Sequence, residues 1–476
     1  MSRWNQTPIG QNQSDMNSST AGSAIQGREQ PNTKQQAVIA PRQSPSLIAS
    51  TIIGVGVLTL PRITSQALSE AAWISTLAGA LISIGVIWVL TRLGLRFPYM
   101  SIVDYLPIIL GSSKKGIGKG IGIVLTFPIV IGILFYWLGT TASISRTFGE
   151  VVVGAVLVHT PIEVLIATML LLSFVLTMYE VEVLARVNEI LLPIIVVPVL
   201  FIALLSFQSF ELDNILPIWP DLSIKQFLYG ILITCLAYQG FEIITILSAY
   251  THVSKKNSRL NIIGVIIPSV IFLLIVIAGI SVFGVEELDQ LMWPTLELVK
   301  VTQAPGQVLE RMESAFLGVW VAAVFSASAN LYYVSTILIS KYFKLARYRR
   351  WVSLGLLPII FWLSLLPRNV IQLFDWQLLL SFAGAIITFV LPILMLLLAI
   401  VRKKGVRQPP YEDGNEDENE SDSSSSRSRK TSPNNKKGET ANDGSNSKEH
   451  NTSSTEKRSK GNDQGNKSRG ESIEED

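Results

Sequence analysis

The sequence predicts an all-α integral membrane protein of about ten transmembrane helices, a five-plus-five inverted repeat with discontinuous first and sixth helices. Three observations carry that prediction. Between Pro45 and Val401 the chain is a succession of apolar blocks of 15 to 28 residues, and about 20 mostly apolar residues suffice to cross a bilayer core. Only 16% of the 476 residues are charged, and those crowd into the two ends and a few short loops. Finally, glycines interrupt two apolar blocks at corresponding places in the two halves of the chain.

The apolar blocks place spans at 46–60, 73–91, 120–145, 163–178, 190–210, 226–249, 261–285, 314–340, 351–366 and 376–401. Residues 1–45 form a polar extension rich in Gln, Ser, Asn, Thr and Pro, without the apolar core of a signal peptide. Residues 46–405 make the membrane domain, and 406–476 a hydrophilic tail containing Ser423–Ser426 and mixed charges. Both ends offer almost nothing to bury and are expected to be disordered.

Loop charges orient the spans. Alternate loops carry eighteen basic residues, among them Arg92, Lys114, Lys255, Arg347 and Lys403. The opposite loops carry six: Arg62, Arg146, Lys225, Lys300, Arg311 and Arg368. Basic residues stay on the cytoplasmic side, so both termini are expected there. The long outer loop from Glu286 to Glu313 has Leu296, Leu298, Val299 and Val301 between two turn signals, which suggests a short helix lying at the membrane surface. Trp73, Trp293 and Trp351 read as interfacial anchors.

Several function classes find no support. The net charge of +3 is small and scattered, which argues against nucleic acid as a partner. Cys235 is the only cysteine, and the three histidines share no ligand spacing, so neither metal nor cofactor is expected. The run Gly111–Gly120 puts Gly120 after Lys119, where a phosphate loop needs Ser or Thr. No other enzyme motif stands out, and the chain is not expected to be an enzyme.

The two interrupted spans are the candidate site. In membrane folds built from inverted halves, ligand is held where paired helices break at mid-membrane. The first span contains Ile53-Gly54-Val55-Gly56-Val57. Its glycines either unwind the helix, freeing N–H groups that bind a carboxylate, or let another helix pack closely. The sixth contains Tyr238-Gln239-Gly240-Phe241-Glu242, in which Glu242 is the one ionisable residue well inside a predicted span. A carboxylate at that depth persists only with a partner or a functional role. It accepts a ligand ammonium, bonds freed backbone N–H groups, or ties helices together. Tyr136 in span three, with Thr140, Thr141 and Ser143 near it, and Ser326, Ser328 and Asn330 in span eight, either complete the pocket or bond between helices.

These two segments resemble the discontinuous-helix motifs of the amino acid–polyamine–organocation permeases. Ser50–Arg62, Tyr105-Leu106-Pro107 with Gly111, and Leu309-Glu310-Arg311-Met312-Glu313 are more similar to one branch, the B subunits of nutrient germinant receptors of spore-forming bacteria. The resemblance spans about 46–405. It implies a nutrient-sensing subunit that binds an amino acid or similar germinant at mid-membrane and triggers germination. It also implies a membrane A subunit and a lipoprotein C subunit as partners in the spore inner membrane, with the termini on the core side. A cation-coupled amino acid or amine transporter is the alternative.

Overall fold

The computed structural model describes residues 38–111, 117–209, 211–216, 223–301 and 312–406. The expected disorder of the N-terminal extension through residue 37 and of the tail beyond 406 lies outside them, as does most of the Leu309–Glu313 motif. Among the described residues there is no strand, only an isolated parallel bridge between Ile39 and Thr251.

Helices fall where the apolar blocks predict them. The first span becomes α1 (Ser44–Gly56) and α2 (Leu60–Leu68); the second is α3 (Ala72–Arg96). A short α4 (Ile102–Leu110) precedes α5 (Ile117–Ala155), α6 (Ile162–Thr177) and α7 (Val181–Ser206). The second half opens with α8 (Ile224–Ala237), followed by a 3-10 turn, the four-residue α9 (Ile244–Leu247) and a second 3-10 turn. Then come α10 (Asn257–Leu288), α11 (Pro294–Val301), α12 (Met312–Tyr342), α13 (Arg349–Ser364), α14 (Val370–Ala385) and α15 (Leu391–Val401). A π-helical stretch, Ile386–Val390, joins the last two.

Among the described residues, six helical stretches are long and apolar enough to cross a membrane, and the pair Ile224–Ala237 and Phe241–Tyr250, bent by 54°, makes a seventh. The passages at the first, fourth and ninth expected positions have only 13, 16 and 16 residues in α1, α6 and α13. Length and composition therefore establish a multi-pass membrane protein, with seven spans rather than ten meeting that standard. Many large apolar side chains face outward, among them Val124, Ile190, Trp362 and Leu397. That is the surface hydrocarbon solvates.

Three expectations are corrected. α11 exists, but Leu296, Leu298 and Val299 are buried in the core, so this helix packs inward instead of lying on the surface. Arg146 is no loop residue: it sits inside α5, buried, and pairs with Glu150 one turn on, Nη2 to Oε1 2.7 Å. Glu242 is thus not the only ionisable group within a long apolar helix; a buried cation is tolerated here because its counter-charge lies on the same helix face. Arg62, likewise assigned to a loop, belongs to α2.

Candidate functional site

The site begins with two breaks. α1 stays helical through Gly54, Val55 and Gly56, and residues 57–59 form the turn before α2. The expectation of non-helical backbone at the glycines themselves is therefore corrected by a few residues. Their role at Gly54 is close approach: a Cβ there would overlap the carbonyl oxygen of Ala323 and the Cβ of Ala327 on α12. At Gly56 a Cβ would stand 2.9 Å from the carbonyl oxygen of Ala237. What stops the helix is the loss of its ladder after Val57, whose N–H still reaches Ile53 O at 3.1 Å. Pro61 lacks the N–H that would continue that ladder, and it suits the first turn of the helix that follows. The carbonyl of Val57 accepts instead from the Thr295 hydroxyl of α11 at 2.7 Å.

The second break spans Tyr238 to Gly240, and Gly240 has φ of 124°, which a side-chain-bearing residue rarely adopts. Its freed N–H donates to Glu242 Oε2 at 2.8 Å, and Trp137 Nε1 donates to Oε1 at 3.3 Å. The Tyr238 hydroxyl donates to Thr76 O at 3.1 Å. The Cα of Gly240 faces α1 so closely that a Cβ would meet Thr51 Cγ2 at 3.1 Å. The two breaks lie against each other.

Beside them is a cavity of about 400 Å³, within the size range of small-molecule sites. Gly54 and Gly56 line it, with Thr59 from the first turn, Arg62 from the start of α2, Tyr136, Thr140 and Ser143 from α5, Gln239 from the second break, Trp320 and Val324 from α12, and Asp375 and Gln377 from α14. Of the residues singled out in the sequence, it therefore collects Gly54, Gly56, Tyr136, Thr140, Ser143 and Gln239.

The others lie elsewhere. Ile53, Val57, Tyr238 and Phe241 are buried in the core, the last edge-on to Phe389 at 6.0 Å. Of Val55 only the helical backbone is described. Gly240 forms the second turn, and Glu242 is buried behind it, bonded to backbone and indole and adjoining the phenol of Tyr136, which stands between it and the cavity. Ser326 and Asn330 join an interhelical cluster centred on Asn188 of α7. Its Oδ1 accepts from Ser50 at 2.5 Å, Ser326 at 2.6 Å and Asn330 at 2.8 Å. Asn330 also donates to Thr51 at 2.8 Å. Ser328 accepts from Ser173 of α6 at 3.3 Å.

Sequence reasoning missed Asn188, Thr295, Arg62 and Asp375. Asn188 fell two residues before the expected start of its span, and the two charges looked like loop residues because each stands near a block's edge. Among the described residues, no group of three His, Cys, Asp or Glu is placed to hold a metal.

The same architecture occurs in solved transporters. Mhp1, a nucleobase-cation-symport-1 family transporter with bromovinylhydantoin bound, aligns with a TM-score of 0.56 at 13% identity, over 78% of this chain and 80% of its own. MhsT in complex with L-phenylalanine aligns at 0.53 and 15%, over 76% and 88%. Curated relatives are nearer in sequence. Spore germination protein YndE of Bacillus subtilis (strain 168) is 29% identical over 370 residues, 77% of this chain and 98% of its own. Spore germination protein A2 of the same organism is 26% identical, over 76% and 95%, and spore germination protein GerLB of Bacillus cereus 27%, over 78% and 97%. Residues 38–372, taking in both breaks and α1 through the start of α14, match the Spore_permease family, described as spore germination protein, and the chain belongs to that family.

Proposed function

We propose that this spore germination protein is the nutrient-sensing subunit of a germinant receptor, and that the cavity beside the paired breaks is where the nutrient binds. The observation that carries the reading is the cavity itself: about 400 Å³, bordered by both interrupted helices and lined by hydroxyls, amides and two charges. The germination names of the relatives favour sensing. Binding here changes the contacts of two half-helices at once, which gives occupancy a mechanical output. The partners fitting this role are a membrane A subunit and a lipoprotein C subunit, in the spore inner membrane with both termini on the core side.

Filling the cavity tests this. Val324→Trp should abolish the response of spores to nutrient mixtures while the chain remains in the membrane at normal abundance. An unchanged response would move the site elsewhere. Co-purification with a second membrane protein and a lipoprotein tests the partners. A cation-coupled transporter is the second reading, favoured by the likeness to transporter structures; accumulation of labelled amino acid by vesicles holding this chain alone would establish it.

A further inference from the structure

Resting on that reading of the cavity, we propose that its ligand is a zwitterion whose carboxylate is taken by Arg62 and whose ammonium is taken by Asp375. Both side chains line the same cavity, one from α2 directly after the first break and one from α14. Among the described residues neither forms an ion pair or an ion-type hydrogen bond, with each other or with any other group. Other charges in the same region are satisfied, Arg146 by Glu150 and Lys300 by Glu297.

Arg62 is also held. Its guanidinium carbon lies 5.1 Å from the centre of the Phe374 ring, and that ring packs on Trp293 at 5.6 Å. Stacking uses the face of the guanidinium and leaves its N–H edge free for a carboxylate. Phe374 precedes Asp375 in the chain, so one short stretch of α14 both seats the cation and supplies the anion. Arg62 is half-buried and Asp375 exposed, so the guanidinium is the charge for which partial desolvation makes a counter-charge most valuable. Opposite charges held apart in one cleft are both compensated by a ligand carrying the two complements, and only one of them by a simple acid or amine.

A further polar side chain in the wall is Thr140, 8% exposed, whose hydroxyl adjoins the Tyr136 phenol. Its neighbours Thr141 and Thr147 donate to the carbonyls one turn back. The ligand body is then left to Trp320 and Val324. This assignment moves carboxylate recognition off Gly54 and Gly56, and ammonium recognition off Glu242.

The test uses the full-length purified chain and a pool of the twenty protein amino acids, taking the member that binds most tightly together with its amide and its N-acetyl derivative. Charge-assisted hydrogen bonds contribute enough that losing one weakens binding about 10- to 100-fold. Arg62→Gln should weaken the parent amino acid by that factor and leave the already weak amide unchanged. Asp375→Asn should do the same for the parent and leave the N-acetyl derivative unchanged. Arg62→Lys should recover part of the loss. If both variants bind all three probes as wild type does, Arg62 is only an aromatic-seated anchor and Asp375 only a solvated helix residue, and the inference is overturned. Binding of glucose or a nucleoside, abolished by Val324→Trp, with no amino acid binding, would overturn the zwitterion and leave the cavity reading intact. Amino acid binding that survives Val324→Trp would overturn the cavity reading itself.

Discussion

The carboxylate of Glu242 accepts the backbone N–H of Gly240, two residues earlier, at 2.8 Å, so the residue that follows the second break also caps it. The second oxygen accepts from Trp137 of α5. A buried donor left without an acceptor costs about 1–3 kcal/mol. Glu242→Ala strands two and should lower stability by about 2–5 kcal/mol, lost for every ligand alike. Glu242→Gln keeps one acceptor oxygen and should cost roughly half as much. Thermal unfolding in detergent and membrane abundance measure this; selective loss of amine-bearing ligands in the Gln variant would return Glu242 to the binding wall.

The first break depends on α11. Thr295→Val preserves shape but removes the hydroxyl that caps the Val57 carbonyl, at a cost of about 1–2 kcal/mol. Proteolysis at residues 57–59 should become faster in this variant. Unaltered cleavage would mean that the turn holds without α11.

Gly54 is a packing position. A methyl group there meets the Ala323 carbonyl, which cannot retreat without moving α12, so Gly54→Ala should cost about 1–3 kcal/mol by overpacking. Ala327→Gly in the same chain should relieve only part of it, because the carbonyl contact remains. Full recovery of the melting temperature would refute the backbone part of the argument. Gly56→Leu, which would otherwise look like a clean block of the cavity, is expected to reduce abundance as well, because of the Ala237 carbonyl.

Asn188 holds α1 and α12 together through one oxygen with three donors. Hydrogen bonds between membrane helices contribute about 0.6 kcal/mol each on average, so Asn188→Ala should cost about 2 kcal/mol. Ser326→Ala alone should cost a third of that or less. Equal effects of the two substitutions in a thermal-shift assay would show that the cluster is not centred on Asn188.

The tail carries no apolar periodicity and almost no large apolar residues. Ending the chain after Arg407 should leave the concentration dependence of the nutrient response unchanged. A shift of tenfold or more would make the tail part of the sensing unit.

How much of this was legible in the sequence differs by level. Apolar length located the helices, and glycine located both interruptions within a few residues, because each property acts through the backbone of the segment that carries it. The wall of the cavity was not legible. Whether Gly54 unwinds or packs depends on Ala323, some 270 positions away, and nothing near Gly54 reports that neighbour. Arg62 and Asp375 stand at the edges of apolar blocks, where charge ordinarily means water. Glu242 attracted notice as an isolated charge, yet its partners include a backbone amide and an indole that composition cannot anticipate.

The bridge between Ile39 and Thr251, with Val38 and Ile39 N–H groups on Tyr250 O at 2.9 and 3.0 Å and His252 N–H on Ile39 O at 3.1 Å, stitches the entry of the first broken helix to the exit of the sixth. Across the breaks, Leu68 of α2 presses on Gly230 of α8 so closely that no methyl would fit between them. The four half-helices are thus paired crosswise in sequence: α1 is tied to the segment after Gly240, and α2 packs against α8. Each turn therefore joins a half of one pair to a half of the other, so a rearrangement at either break has to be accommodated at both.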